Sequence, residues 1–233
     1  MGENRPDLTI SIISADNLAL LLPCLRSVFE STHCITLEVF VVDNAASDGT
    51  AAAVQAEFPQ VKVICNPQRL GFSTNNNLVL QQGEGRYLML LNDDTIVLDG
   101  ALDTLVAFAD VQHDAGVVGS FLLNPDHTFQ AAFSALPNPW IEGFWSTAAL
   151  FPRLHADAQA PFVTQTVCGA ALMIRRETMD QVGVLDTAFD PIYAEETDWC
   201  RRVALAGWKI YSHPQALIIH YGGQTMDRVP LRK

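Results

Sequence analysis

The chain has 233 residues, with 14 Lys+Arg against 26 Asp+Glu, a formal charge of −12, and 49% hydrophobic against 17% charged residues. This is enough length and apolar content for a sizeable core in one large domain or two small ones, and it excludes a disordered, solvating chain. The acidity argues against a nucleic-acid partner, whose phosphates call for clustered Lys and Arg, but leaves room for a small phosphorylated ligand if something else brings positive charge.

Met1–Asp7 is polar and carries no signal-peptide pattern, and no apolar run reaches the roughly 18–20 residues of a membrane span. The 5 cysteines (Cys24, Cys34, Cys65, Cys168 and Cys200) are scattered without a C-x-x-C pair. That is the usage of reduced thiols, so a cytoplasmic location is expected, with peripheral contact at the inner face of the membrane left open.

Leu8–Ile13 is a short, β-branched apolar run that predicts a buried strand. Leu18, Leu21, Leu22, Leu25, Val28 and Phe29 follow at helical spacing, with Asn17 at the N-cap position. Glu38–Val42 predicts a second strand ending at Asp43, then a turn at Ser47–Thr50 and an Ala-rich helix that stops before Pro59. Val61–Cys65 predicts a third strand, Asn77–Gln82 a helical stretch, and Tyr87–Leu91 a fourth strand. This alternation implies βαβ units and a largely parallel sheet.

Beyond it, Ala101–Val111 reads as a helix, Val117–Leu123 as a strand and Asn124–His127 as a turn. Residues 135–161 form a Pro-containing stretch with Trp140, Phe144, Trp145 and Phe151. An apolar stretch over Val167–Ile174, a helix over Thr197–Ala206 and a last strand over Ala216–His220 complete a single domain, 1–233.

In open α/β sheets, ligands bind outside the carboxyl ends of the strands. Strand one ends in Ser14-Ala15-Asp16-Asn17, strand two in Asp43-Asn44, and strand four in Asn92-Asp93-Asp94-Thr95. Each alone serves equally well as a turn or helix cap; three together at one edge suggest a site. No G-x-G-x-x-G or P-loop follows strand one, so dinucleotide and NTPase chemistry lack a phosphate cradle. Adjacent Asp93 and Asp94 repel each other, and a divalent cation with oxygen ligands, Mg2+ or Mn2+, would relieve them. Glu195-Glu196-Thr197-Asp198 fits either helix-dipole carboxylates or a shielded general base. His220 ends the last strand as either a structural or a liganding histidine.

Together these residues resemble the family 2 inverting glycosyltransferases of GT-A fold, rhamnosyltransferase-like branch. The resemblance rests on Val41–Thr50, Asn66–Asn77 with Gly71-Phe72, Asn92-Asp93-Asp94 as a D-x-D-like motif, Cys168-Gly169-Ala170-Ala171, Glu195–Asp198 as an E-D-x-D-like motif, and Gly207-Trp208 with His220. It implies a Rossmann-like, mainly parallel sheet flanked by helices, with a nucleotide-binding half (1–123) and a mixed acceptor and catalytic half (124–233).

It further implies metal-dependent transfer, with inversion, from a nucleotide-diphosphate sugar to a glycan or lipid-linked acceptor, in polysaccharide or glycolipid assembly. Glu196 would be the base and Asp198 its support. Asp43 would contact the nucleobase, with Asp16, Asn77, Asp93 and Gly169 also binding the donor. Asp94, Asn92 and His220 would hold Mn2+ or Mg2+. Trp140, Phe144 and Trp145 offer stacking faces for a sugar or acceptor. Ser14–Asn17 departs from the family's Tyr-Asn or Trp-Asn, and Glu196 stands where Asp is commoner. Family members often run on beyond the last segment, so the end at Lys233 is expected to leave out a C-terminal portion. A sugar nucleotidyltransferase, which would want a Gly-rich Arg-bearing loop after strand one, and a non-catalytic nucleotide-sugar or carbohydrate-binding module are the alternatives.

Overall fold

The computed structural model describes residues 5–134, 155–192 and 194–222; Trp140, Phe144, Trp145 and Phe151 therefore lie outside the described residues. The first half alternates as the sequence predicts through β1 (Leu8–Ser14), α1 (Leu18–Glu30), β2 (Leu37–Asp43), α2 (Thr50–Glu57), β3 (Lys62–Cys65), α3 (Phe72–Gln82) and β4 (Tyr87–Asn92), then adds a short strand, β5 (Thr95–Val97), that the sequence did not show, before α4 (Ala101–Val111). The second half runs β6 (Ala115–Leu123), β7 (Phe133–Ser134), β8 (Phe162–Thr164), β9 (Thr166–Val167), β10 (Ala171–Arg175), α5 (Arg176–Val182), a 3-10 turn (Thr187–Phe189), α6 (Glu195–Leu205) and β11 (Lys209–His220).

A 9-stranded sheet takes the order β3-β2-β1-β4-β10-β6-β11-β5, with β8 added on β11. β3, β2, β1 and β4 are mutually parallel, whereas β10 is antiparallel to both β4 and β6. Strands buried on both faces read as continuous apolar runs: Leu8, Ile10 and Ile12 are fully buried, and so are Leu88 and Met89. Helix α3 contacts β1, α4 contacts β6 and β11, and α6 contacts β9 and β11. Trp199 of α6 is fully buried and donates its Nε1–H to Gly183 O at 2.9 Å.

Register sets the site. Ser14 lies opposite Asp43, and Ile13 opposite Asn92, so β1, β2 and β4 end on one line. Because β10 runs the other way, its start sits at that same edge: Ala171 faces Leu91, and Asn92 N donates to Ala170 O at 3.0 Å. β11 runs antiparallel to β5 with His220 opposite Thr95, which returns the histidine to the Asn92–Asp94 turn.

Several boundaries differ from the sequence expectations. α3 starts at Phe72, α6 at Glu195, and β11 already at Lys209, with an irregularity between His213 and Leu217 around Pro214. Val167–Ile174 is two strands, parted by Cys168-Gly169-Ala170 at the edge. Asn17 does not cap α1 with its side chain, which instead donates to Asp93 Oδ1 at 3.1 Å. The α1 N-terminus receives Asp48, whose Oδ2 accepts from Leu18 N at 2.9 Å from the loop before α2.

Candidate active site

The carboxylates along the edge fall into two groups. Asp43 accepts from Ala46 N (2.8 Å) and Ala51 N (3.2 Å), closing the turn after β2. Asp48 also accepts from the Thr50 hydroxyl at 2.6 Å. Asp16 accepts from Ser47 N at 2.5 Å and pairs with Arg69. Asp16 and Ala45 occupy the left-handed region without being glycine (φ 58° and 54°), as does Ala194 (72°), immediately before the Glu195-Glu196 turn. Such conformations cost roughly 1–2 kcal/mol each and cluster at sites that fix a side chain.

An asparagine network shapes the loop before α3. Asn44 Oδ1 accepts from Leu70 N (2.8 Å) and Asn66 Nδ2 (3.1 Å), and Asn66 Nδ2 donates to Asn75 Oδ1 (2.6 Å). Asn77 spends its amide on Leu185, donating to the carbonyl at 2.8 Å and accepting from the N–H at 3.0 Å. Asp190 reaches the start of α3, accepting from Ser73 N at 2.9 Å and from the Thr74 hydroxyl. Gly71 allows this approach: a Cβ there would stand 2.2 Å from Asp190 Cγ. The loop and the Asp190 segment are thus locked together, an arrangement with no local signal in the sequence.

The second group is differently placed. Asp94 is 2% exposed, and its Oδ1 has no hydrogen-bond partner although His220 Nε2 stands 3.3 Å away. Asn92 Nδ2 lies 3.3 Å from the same nitrogen, and Gln130 Oε1 faces His220 Nδ1 at 2.7 Å. Among the described residues no three His, Cys, Asp or Glu side chains gather as a complete metal cage.

Glu196 lies partly buried in the first turn of α6. Burial pushes its carboxyl above the usual carboxylate range, against the opposing pull of its own backbone N–H. The structural cause is desolvation rather than repulsion from Glu195. Gly169 sits beside it: a Cβ at Gly169 would be 3.6 Å from Phe72 Cζ and 3.7 Å from Glu196 Cβ. The thiol of Cys168 is raised first by burial and then by the charges of Glu196, Asp94 and Glu195.

Asp198 faces elsewhere. It pairs with Arg202 Nε at 2.7 Å, and Arg202 donates to Val182 O and Val184 O, fastening α6 to the preceding turn. The structure therefore brings Asn92, Asp94, His220, Gly169 and Glu196 to one region, while Asp43, Asp16, Asn77 and Asp198 are held in bracing hydrogen bonds or ion pairs. A cavity of about 590 Å3 opens beside α1, lined among others by Asp16, Leu18, Leu22, Arg26 and Asp48, and away from Glu196.

Comparison with known proteins identifies the family. The family described as Glycosyl transferase family 2 matches residues 9–183. Over 217 residues the chain is 25% identical to the N-acetylglucosaminyl-diphospho-decaprenol L-rhamnosyltransferase of Mycobacterium tuberculosis, covering 83% of this chain and 69% of that protein. It is 29% identical over 133 residues to the GalNAc(5)-diNAcBac-PP-undecaprenol beta-1,3-glucosyltransferase of Campylobacter jejuni, covering 55% of this chain and 42% of that protein. The fold superposes on the mannosyltransferase PcManGT of Pyrobaculum calidifontis, solved with GDP-Man and Mn2+, with a TM-score of 0.69 at 20% identity; the match takes in 94% of this chain but only 58% of that one. No described helix is long and apolar enough to cross a membrane. With the family matched over most of its length and the GT-A architecture in place, the chain belongs to glycosyl transferase family 2 and is a glycosyltransferase.

Proposed function

We propose that this glycosyltransferase moves a sugar from a nucleotide-diphosphate sugar to an acceptor hydroxyl by single displacement, with inversion at the anomeric carbon. The observation that carries this is the partly buried Glu196 carboxylate, raised by desolvation, beside Gly169. A carboxylate raised by desolvation suits general-base work. Glu196 takes the proton of the acceptor hydroxyl as that oxygen attacks, and the small residues Gly169 and Ala170 leave room for the sugar. Asp43, Asp16, Asp93 and Asn77 act on the donor by shaping the loops that receive it, and Asp198 holds α6 in place.

The donor set at the strand edge fits a divalent cation. Asp94 Oδ1 is buried without a hydrogen-bond partner, and His220 Nε2 faces it. Mn2+ or Mg2+ would be held by Asp94 and His220 with Asn92 beside them. Bound there, it would stabilise the departing nucleoside diphosphate as a Lewis acid.

We further propose residues 1–123 as the donor half, 124–233 as the acceptor and catalytic half, and a glycan or lipid-linked acceptor in polysaccharide or glycolipid assembly, as the names of the mycobacterial and Campylobacter relatives suggest. The reaction is placed on the cytoplasmic side, where a lipid-linked acceptor would draw the enzyme to the membrane surface. Glu196→Gln tests the base: turnover is expected to fall by about 10^2–10^4-fold while donor affinity, measured by calorimetry over a panel of nucleotide sugars, stays within a few-fold. Unchanged turnover would remove Glu196 from the role. Donor binding with neither hydrolysis nor transfer across acceptors would point instead to a binding module.

A further inference from the structure

The Asn124–His127 turn returns the chain along β6, where Leu123 and Phe129 form a bridge and Gln130 N donates to Leu122 O at 2.9 Å. This places the Gln130 side chain against the end of β11, 90 residues away in sequence. Gln130 Nε2 donates to His220 O at 3.1 Å and to Asn124 Oδ1 at 2.9 Å. A backbone carbonyl only accepts, so the nitrogen of the amide must face it. Asn124 presents its oxygen for the same kind of reason, since its Nδ2 donates to Thr128 Oγ1 at 2.9 Å and points to Phe129 O at 3.4 Å.

Both amide hydrogens of Gln130 are thereby spent, and Oε1 faces His220 Nδ1 at 2.7 Å. Oε1 carries no hydrogen, so the hydrogen of that bond belongs to Nδ1. The neutral ring then keeps its lone pair on Nε2, in agreement with the Asn92 amide nitrogen 3.3 Å from it.

We infer that Gln130 is a positioning residue that locks His220 in its Nδ1–H form and so holds Nε2 as an unprotonated ligand beside Asp94. The inference rests on the cation reading proposed above for its ligand half, while the tautomer itself is a property of the metal-free protein. Outer partners that orient a liganding histidine typically contribute about 10–100-fold to metal affinity.

The test uses the whole chain. Nitrogen NMR of the metal-free protein, with the His220 signals assigned against His220→Gln, reads the tautomer; loss of the free Mn2+ paramagnetic resonance signal reads binding. The wild type is expected in the Nδ1–H form. Gln130→Met is expected to lose that preference and to bind Mn2+ about 10-fold more weakly or worse, with no further loss when added to His220→Gln. An Nε2–H wild type that binds Mn2+ overturns the inference alone. An Nδ1–H wild type that binds no Mn2+ overturns the cation reading, and the ligand role with it. Unchanged Mn2+ affinity in Gln130→Met overturns the positioning role, and if that variant does not fold, the wild-type tautomer still decides.

Discussion

Two sets of carboxylates stand along one sheet edge, and the fold treats them in opposite ways. At the ends of β1 and β2, Asp16, Asp43 and Asp48 are wrapped in backbone N–H groups, hydroxyls and an arginine. Against the burial that would raise it, hydrogen bonds from Thr50 and Leu18 hold the Asp48 carboxyl below its ordinary range. At the end of β4 and the start of α6, Asp94 Oδ1 has no hydrogen-bond partner and burial pushes Glu196 up. A carboxylate that accepts several hydrogen bonds is stabilised as an anion and made inert; one desolvated without them keeps its affinity for a proton or a cation. Acid residues at a strand end are therefore not equivalent. Their hydrogen-bond satisfaction separates them.

The largest effect that would break this comparison is at Asp94. Asp94→Asn is expected to lower turnover by roughly 10^2–10^3-fold, since charge stabilisation of several kcal/mol at 1.36 kcal/mol per decade is lost. Steady-state rates over a Mn2+ titration check it, and a rate within a few-fold of wild type would place Asp94 with the structural set.

The pH response should separate the two sets by sign. Glu196 has a raised pKa in the folded state, so between the unfolded carboxylate value and the folded one the native protein binds more protons, and stability falls as pH rises through that window. Glu196→Gln removes this cost and is expected to melt higher than wild type at neutral pH while losing its turnover. Asp48 is depressed, so its contribution is present above the unfolded value and is lost as pH falls through the folded one. Melting curves from pH 3 to 8 on wild type, Glu196→Gln and Asp48→Ala resolve the two trends.

The smallest expected effect is Asp48→Ala itself. Loss of a capping carboxylate costs about 0.5–2 kcal/mol, read as a shift in the denaturation midpoint, with turnover per folded molecule unchanged. A large fall in turnover at full stability would move Asp48 into the reactive set.

Much of the fold is legible in the sequence. The four front strands follow from continuous apolar β-branched runs, α1 from 3.6-residue spacing and α2 from Ala-rich composition, and Asp94, Glu196 and His220 stand out at strand ends and in the acidic motif. The pairing of Asn77 with Leu185, the capping of α3 by Asp190 and the hold of Arg202 on Asp198 were not, because each joins segments whose spacing carries no pattern. Gln130 had no signal at all beyond the turn that precedes it.

By itself the sequence determined the front strands and most of the longer helices, and which residues could carry charge at their ends, because apolar runs and turn chemistry are local properties; the helix Arg176–Val182 and the short strands Thr95–Val97, Phe133–Ser134 and Phe162–Thr164 it did not show. The tertiary structure decided which carboxylates are satisfied by hydrogen bonds and which are not. It did so by running β10 and β11 antiparallel to β4 and β5, which carries Gly169 and His220 back to the Asn92–Asp94 turn, and by supplying or withholding hydrogen-bond donors across distant parts of the chain. Satisfaction of a polar group is a property of its neighbours in space, and only folding chooses them.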